Sequence, residues 1–186
     1  DLDTSPYRQA IHDLYQKGIV SPAPDGKFYP DRNLTKAEAA TLLVKGFHLP
    51  EIKPIVPKDP NMKKSFRYSD PLGVIDESFS IPSAKDIADH WGVNYIEGLL
   101  KVRADQVEGD AYQPNRTVTK AEWAEMIGKV IFGVDQQIDY TQRLIELGLI
   151  SAEVANSKEP ITRGEAAWTL HRIISDPDFT VIPVLA

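Results

Sequence analysis

The chain of 186 residues contains no cysteine. Disulfides, thiol nucleophiles, cysteine-type zinc sites and iron–sulfur clusters are therefore excluded. Its four histidines, at positions 12, 48, 90 and 171, lack a metal-binding spacing, and no phosphate loop, Gly-x-Ser-x-Gly or calcium loop occurs. These absences leave no pattern for catalysis, and we expect a protein that is not an enzyme and uses no cofactor or metal.

The chain also lacks a basic excess and a long apolar run. Lys and Arg number 21 and Asp and Glu 27, for a formal net charge of −6, so nucleic acid is not an expected partner. No apolar run approaches the ~18 residues of a membrane span, so we expect no membrane insertion. The first residues lack a basic stretch followed by an apolar one, and we expect a signal peptide to be lacking or already removed. An acidic chain of this kind binds an acidic ligand only through a local cationic site.

A four-residue pattern, Thr-Lys/Arg-x-Glu, occurs three times. Composition alone would produce roughly 0.06 matches, so the chain contains an internal repeat. A threonine at the N-cap with a glutamate three residues later is typical of a capping box at a helix start. We therefore predict structural caps at Thr35 with Glu38, Thr119 with Glu122 and Thr162 with Glu165.

Each motif lies within a predicted helix–loop–helix unit. Apolar residues with helical spacing precede and follow every motif, and no segment shows a long period-2 alternation, so the prediction is an all-α fold. The motif threonines are 84 and 43 positions apart, and the excess lies in residues 49–83, which hold six of the fourteen prolines. We interpret this stretch as an irregular insertion with a small basic cluster at Lys63, Lys64 and Arg67.

These residues resemble the S-layer homology (SLH) domain family. The resemblance rests on His90-Trp91 in a first helix, on the loop Asp25-Gly26-Lys27-Phe28-Tyr29-Pro30, and on the three capped motifs. It covers residues 1–48 and about 84–175. It implies three tandem repeats, at 1–48, 84–134 and 135–176, that form one pseudo-threefold helical bundle within a single domain, followed by a tail at 177–186.

The resemblance also implies a function. Modules of this family anchor secreted and S-layer proteins to the bacterial cell wall by binding an acidic, often pyruvylated, secondary cell-wall polysaccharide. The expected location is therefore extracellular, at the cell surface, and the expected partners are this polymer or peptidoglycan, with other surface-protein domains as further partners. By position in the motif, the ligand's acidic group would meet Lys36, Lys120 and Arg163.

The residues themselves suggest why such a motif would bind an anion. A helix N-terminus offers free amides and a partial positive charge, and a Lys or Arg beside it adds a full charge. The family resemblance makes Trp91 the candidate for stacking on a sugar, while Trp123 and Trp168 are expected in the core. Asp25 and Gly26 form a predicted turn and are secondary ligand candidates.

The copies differ from one another. Two of the three motif cations are Lys, which lacks the bidentate fork of Arg, and the third motif has Gly164 where the family usually has Ala. We therefore expect unequal binding sites. The alternative function is a protein–protein assembly module in which the repeats serve only as a scaffold.

Overall fold

A computed structural model describes residues 1–54, 82–134 and 137–176. Over these ranges the chain forms seven α-helices and no strand, in agreement with the all-α prediction. The predicted insertion lies largely outside the described residues, as do its basic cluster and the predicted tail. The helices are α1 (Arg8–Gln16), α2 (Lys36–Gly46), α3 (Val93–Lys101), α4 (Lys120–Phe132), α5 (Tyr140–Glu146), α6 (Ala152–Ala155) and α7 (Arg163–Ile174), with a 3₁₀ turn at Lys85–Ile87.

Three of the helices, α2, α4 and α7, begin at the Thr-Lys/Arg-x-Glu motifs. In each, the threonine hydroxyl accepts a hydrogen bond from the glutamate amide, and the glutamate carboxylate accepts one from the threonine amide. Both donors would otherwise lack a helical partner, so this capping is worth about 1 kcal/mol per helix. We refer to α2, α4 and α7 as the capped helices.

A ring of backbone hydrogen bonds joins the starts of the three capped helices. The Leu34 amide donates to the Ile161 carbonyl (2.9 Å), and the Ile161 amide donates to the Val118 carbonyl (2.9 Å). The Val118 amide donates to the Leu34 carbonyl (3.0 Å), which closes the ring. Each of these residues directly precedes a motif threonine, and each is at most 1% exposed. The ring therefore places all three motifs at the centre of the fold.

The other helices pack between the capped ones in an interleaved order. Helix α3 contacts α2, and α5 contacts α4, so each first helix lies against the capped helix of the preceding unit. Helix α1 packs against α7, which closes the arrangement between the two ends of the described chain. One continuous hydrophobic core results, with Leu14, Leu99 and Leu144 at 0% exposure on α1, α3 and α5.

Gly164 provides the space for the contact between α1 and α7. A Cβ atom placed there would lie 2.4 Å from Cδ2 of Tyr7 and 3.0 Å from the Pro30 carbonyl oxygen. At the corresponding contact of α2 the small residue is on the other side, because Gly92 faces Ala37. The glycine in the third motif thus accommodates the tyrosine ring.

Replacing Gly164 with alanine should therefore destabilise the fold. Alanine normally favours a helix by up to about 1 kcal/mol over glycine. Here the overpacked methyl group should reverse that sign and cost about 1–3 kcal/mol, measured by urea unfolding. In a Tyr7→Ala background the same replacement should cost much less, and strictly additive effects of the two substitutions would contradict this account.

Candidate functional site

The backbone amides at the starts of the capped helices are not free. The first-turn amides of Lys36, Lys120 and Arg163 donate to carbonyls of other loops at 2.8–2.9 Å, and the next amide of each helix does the same at 2.8–3.0 Å. The acceptors are the carbonyls of Arg116 and Pro114, of Glu159 and Ser157, and of Arg32 and Pro30. The expectation that these amides are available to an anion is therefore wrong, because tight packing around the ring uses them within the fold.

Lys36 lies inside the protein. The residue is 3% exposed, its ammonium is 3.3 Å from the Asp105 carboxylate, and it lies 4.1 Å from the centroid of the Tyr112 ring. The Tyr112 hydroxyl donates to the same carboxylate (2.8 Å), and burial, followed by the charge of Asp105, raises the pKa of Tyr112 far above its usual value. Lys36 therefore already has an ionic partner and an aromatic partner within the fold.

Arg163 lies at the edge of a cleft. Its side chain is 13% exposed, its Nη1 atom donates to the Glu38 carboxylate (2.6 Å), and its Nε atom donates to the Phe28 carbonyl (2.9 Å). The guanidinium also lies over the Phe28 ring, 4.4 Å from its centroid. Burial lowers the pKa of Arg163 and the charge of Glu38 opposes this, so the group remains charged at neutral pH.

Lys120 is intermediate between these two. Its side chain is 19% exposed, and its ammonium is 3.0 Å from Glu165 and 3.9 Å from Glu159. The hydrogen bond to Glu165 raises the pKa of Lys120, which therefore keeps its charge. The three motif cations thus occupy different environments, although two of them are lysines at the same motif position.

A cleft of about 760 Å³ brings Arg163 together with Trp91. We call it the Arg163 groove. Its lining comes from α2, α3, α7, the segment between α1 and α2, and the segment before α3. The charged residues and the tryptophan and tyrosine of this lining are Arg32, Glu38, Lys45, Trp91, Tyr95 and Arg163. Three cations and one carboxylate therefore face an open cleft on a protein whose formal net charge is −6.

Trp91 is the most exposed large hydrophobic side chain among the described residues, at 61%. The His90 ring lies 5.3 Å from it, and His90 Nδ1 accepts a hydrogen bond from the Gly92 amide (3.1 Å). An exposed indole that lines the same cleft as three cations suits the apolar face and the charge of an acidic sugar. Among the described residues, Trp91 is not one of the hydrophobic side chains that form the core or pack against it.

A second cleft, the Lys36 groove, lies against α4 and measures about 120 Å³. Its lining includes three cations and four carboxylates, so its charge balance is opposite to that of the Arg163 groove. The cations are Lys36, Arg116 and Lys129, and the carboxylates are Asp105, Glu108, Glu122 and Glu125.

The remaining candidate residues lie elsewhere. Asp25 and Gly26 form a turn in which the Asp25 carboxylate accepts from the Lys27 amide (3.1 Å) and Gly26 has a φ of 81°. Trp123 is fully buried, as expected for a core residue. Trp168 is 44% exposed with the Arg172 guanidinium 5.6 Å from its ring centroid, so the expectation of a core position was wrong for it.

Sequence reasoning missed several of these residues. Arg32 and Arg116 both stand three positions before a motif threonine and pair with its glutamate, which a position-by-position comparison of the copies would have revealed. Asp86 accepts from the Tyr112 and Gln113 amides (2.9 and 2.7 Å), where Gln113 has a φ of 60°. No local pattern identifies that role, because the contact spans 26 positions.

Two of the capping glutamates predict how stability depends on pH. Burial raises the pKa of Glu165, but the Thr162 amide and the Lys120 ammonium outweigh it, and the pKa lies below the usual 4.5. The pKa of Glu122 is lowered in the same way, against its burial, chiefly by Arg116. A lowered carboxyl pKa stabilises the fold above the unfolded-state pKa. The free energy of unfolding, from urea titrations, should thus fall as the pH drops below about 4.5.

The variant Glu165→Gln provides the control for this dependence. Glutamine can still serve in a capping box but does not titrate. The variant should therefore lose less stability than the wild type between neutral and acidic pH. Identical losses in the two proteins would contradict the role assigned to this carboxylate.

Comparison with known proteins bears on the same features. Residues 1–40 match the S-layer homology domain. The chain is 25% identical over 124 residues to a cellulosome-anchoring protein of Acetivibrio thermocellus, covering 64% of this chain and 22% of that protein. It is 25% identical over 199 residues to the S-layer protein sap of Bacillus anthracis, covering 86% of this chain and 24% of that protein.

A third relative bears on catalysis. The chain is 24% identical over 125 residues to an uncharacterised cell wall amidase of Bacillus anthracis, covering 67% of this chain and 19% of that protein. The chain thus spans about a fifth to a quarter of the length of these relatives. Within the described residues, no group of three or more acidic or histidine side chains could hold a metal ion, and no helix is long and apolar enough to cross a membrane.

Proposed function

We propose that this chain is a non-catalytic module that attaches a surface protein to the bacterial cell wall. The S-layer homology match at residues 1–40 and the cellulosome-anchoring and S-layer relatives support this function and a cell-surface location. The proposal extends the match to three tandem repeats, at 1–48, 84–134 and 135–176, in one pseudo-threefold bundle. The three capping boxes and the hydrogen-bonded ring among them support that extension.

The ligand we propose is an acidic secondary cell-wall polysaccharide. The pyruvylated form of this polymer is the first one to test. The observation that carries this proposal is the Arg163 groove, where Arg163, Arg32 and Lys45 face the same cleft as the exposed Trp91. The cations would pair with the carboxylate of the glycan, and the indole would stack on an adjacent sugar ring. Lys36 has a structural role in this proposal, because its charge is already paired inside the protein.

Co-sedimentation with Gram-positive sacculi tests the proposal. The chain should bind intact sacculi and not sacculi stripped of their secondary polymer. Because charge pairing contributes to the affinity, binding should weaken as salt rises from about 0.1 M to about 1 M. Equal binding to both preparations would indicate peptidoglycan as the ligand.

Failure to bind either preparation would contradict the proposal. Analytical ultracentrifugation then distinguishes the alternative, since a stable oligomer without wall affinity is the result expected of an assembly module. The same preparations, incubated with the chain and assayed for released sugars and peptides, test the absence of catalysis.

A further inference from the structure

The Arg163 groove and the Lys36 groove are built from corresponding residues. Arg116 precedes the motif threonine of α4 by three positions, and Arg32 precedes that of α2 by the same number. Arg116 lines the Lys36 groove and Arg32 lines the Arg163 groove. Lys129 corresponds in the same way to Lys45, ten positions after it. The framework is therefore shared, yet the volumes are about 760 and 120 Å³.

The two grooves differ at several positions, and two of these lie 14 and 7 residues before the motif threonine. Ser21 and Phe28 occupy them in the Arg163 groove, whereas Asp105 lines the Lys36 groove and Tyr112 is buried beside it. The Lys36 groove also has Glu108 and Glu125 where the Arg163 groove has Pro24 and Thr41. Asp105 accepts from the Tyr112 hydroxyl (2.8 Å) and lies 3.3 Å from the Lys36 ammonium, with a side chain that is 14% exposed. Ser21 contributes only its carbonyl, 3.5 Å from Nη2 of Arg163.

The aspartate changes the partner of the motif cation. Arg163 pairs with the capping glutamate Glu38 at 2.6 Å, and Lys120 pairs with Glu165 at 3.0 Å. Lys36 instead pairs with Asp105. The length of the side chain does not explain why Lys36 has a different partner, because Lys120 is also a lysine and reaches the capping glutamate Glu165.

We propose that Asp105 acts as an internal anion that occupies the Lys36 groove and excludes the acidic glycan from it. This inference rests on the proposed function, since it specifies which groove takes the ligand. A glycan carboxylate entering here would have to displace a nearly buried ion pair and add a fifth negative group to the four already present. Asp105, held in place by Tyr112, is thus a residue that determines specificity between grooves.

Lysine labelling of the wild-type protein tests this inference. Lys45 and Lys129 occupy the same position on the two capped helices, each lining its own groove, and each is partly exposed. The protein is acylated with and without secondary polysaccharide purified from sacculi, and labelling rates are read by mass spectrometry. The polymer should slow labelling of Lys45 by about fivefold or more and leave Lys129 within about twofold, as expected for one occupied and one empty site.

The other outcomes are equally decisive. Equal protection of both lysines would overturn the inference while leaving the proposed function intact. Protection of neither lysine would contradict the proposed function, and the inference would fall with it.

A gain-of-function variant provides the second measurement. Asp105→Ser with Tyr112→Phe copies the two residues of the Arg163 groove, so the polymer should now protect Lys129 as well. Tyr112→Phe alone keeps the aspartate and should not confer protection. Where circular dichroism shows that the double variant is unfolded, Asp105→Asn replaces it, because asparagine removes the charge at nearly constant shape. A folded variant without the charge and without protection at Lys129 would overturn the inference.

Discussion

Replacing Trp91 with alanine is expected to weaken binding to intact sacculi by roughly thirtyfold. An exposed indole at the centre of a binding site typically contributes about 2 kcal/mol, which corresponds to that ratio of dissociation constants. The free energy of unfolding should change by less than about 0.5 kcal/mol, because the ring is mostly in solvent. Depletion of the soluble protein over a range of sacculus concentrations measures the affinity.

Trp168→Ala is the matched control for this substitution. Trp168 is likewise an exposed tryptophan, at 44%, but does not line the Arg163 groove. Its replacement should leave the affinity within about twofold, since it lies outside the proposed contact. Loss of binding in the Trp168 variant alone would contradict the assignment of the site to the Arg163 groove.

Replacing Lys36 with alanine is expected to reduce stability strongly and to spare the affinity of the folded protein. Removing one partner of a buried ion pair leaves Asp105 unpaired and opens a cavity, at a cost of about 3 kcal/mol or more. Lys120→Ala should cost less than Lys36→Ala, because the side chains of Lys120 and Glu165 are 19% and 28% exposed, against 4% and 14% for Lys36 and Asp105. Urea unfolding of both variants measures the difference.

This pair of substitutions separates a structural cation from a ligand-binding one. Lys36→Ala protein kept below its unfolding transition should bind intact sacculi like the wild type. A large loss of affinity with little loss of stability would show instead that Lys36 meets the ligand. It would thereby restore the role that the family resemblance assigns to all three motif cations.

The helix starts could be predicted from the sequence because capping is local. The threonine and glutamate of each box are three positions apart, so composition and spacing are sufficient to identify them. The all-α class follows from the same local signals, since apolar residues recur with helical spacing on both sides of each motif. Trp91 was identified as a ligand candidate by family resemblance, and only the tertiary structure shows that it is exposed.

The environment of each motif cation could not be predicted in this way. Lys36, Lys120 and Arg163 occupy the same position in their motifs, yet their partners come from distant parts of the chain: Asp105, Glu165 and Glu38. The free first-turn amides were an incorrect expectation for the same reason, because the carbonyls that use them belong to other loops. Local pattern determines where a helix begins, but it does not determine what covers that end.

The sequence by itself thus determined the three capped helices and the all-α class, since both depend on residues a few positions apart. Only the tertiary structure decided which motif cation faces an open cleft. Helix α1 packs on α7, and the loop after α1 reaches Arg163 across 135 positions through the Phe28 carbonyl. Burial and charge balance at a groove are sums over such distant contacts, and for this reason the cations of nearly identical motifs have different partners and different exposure.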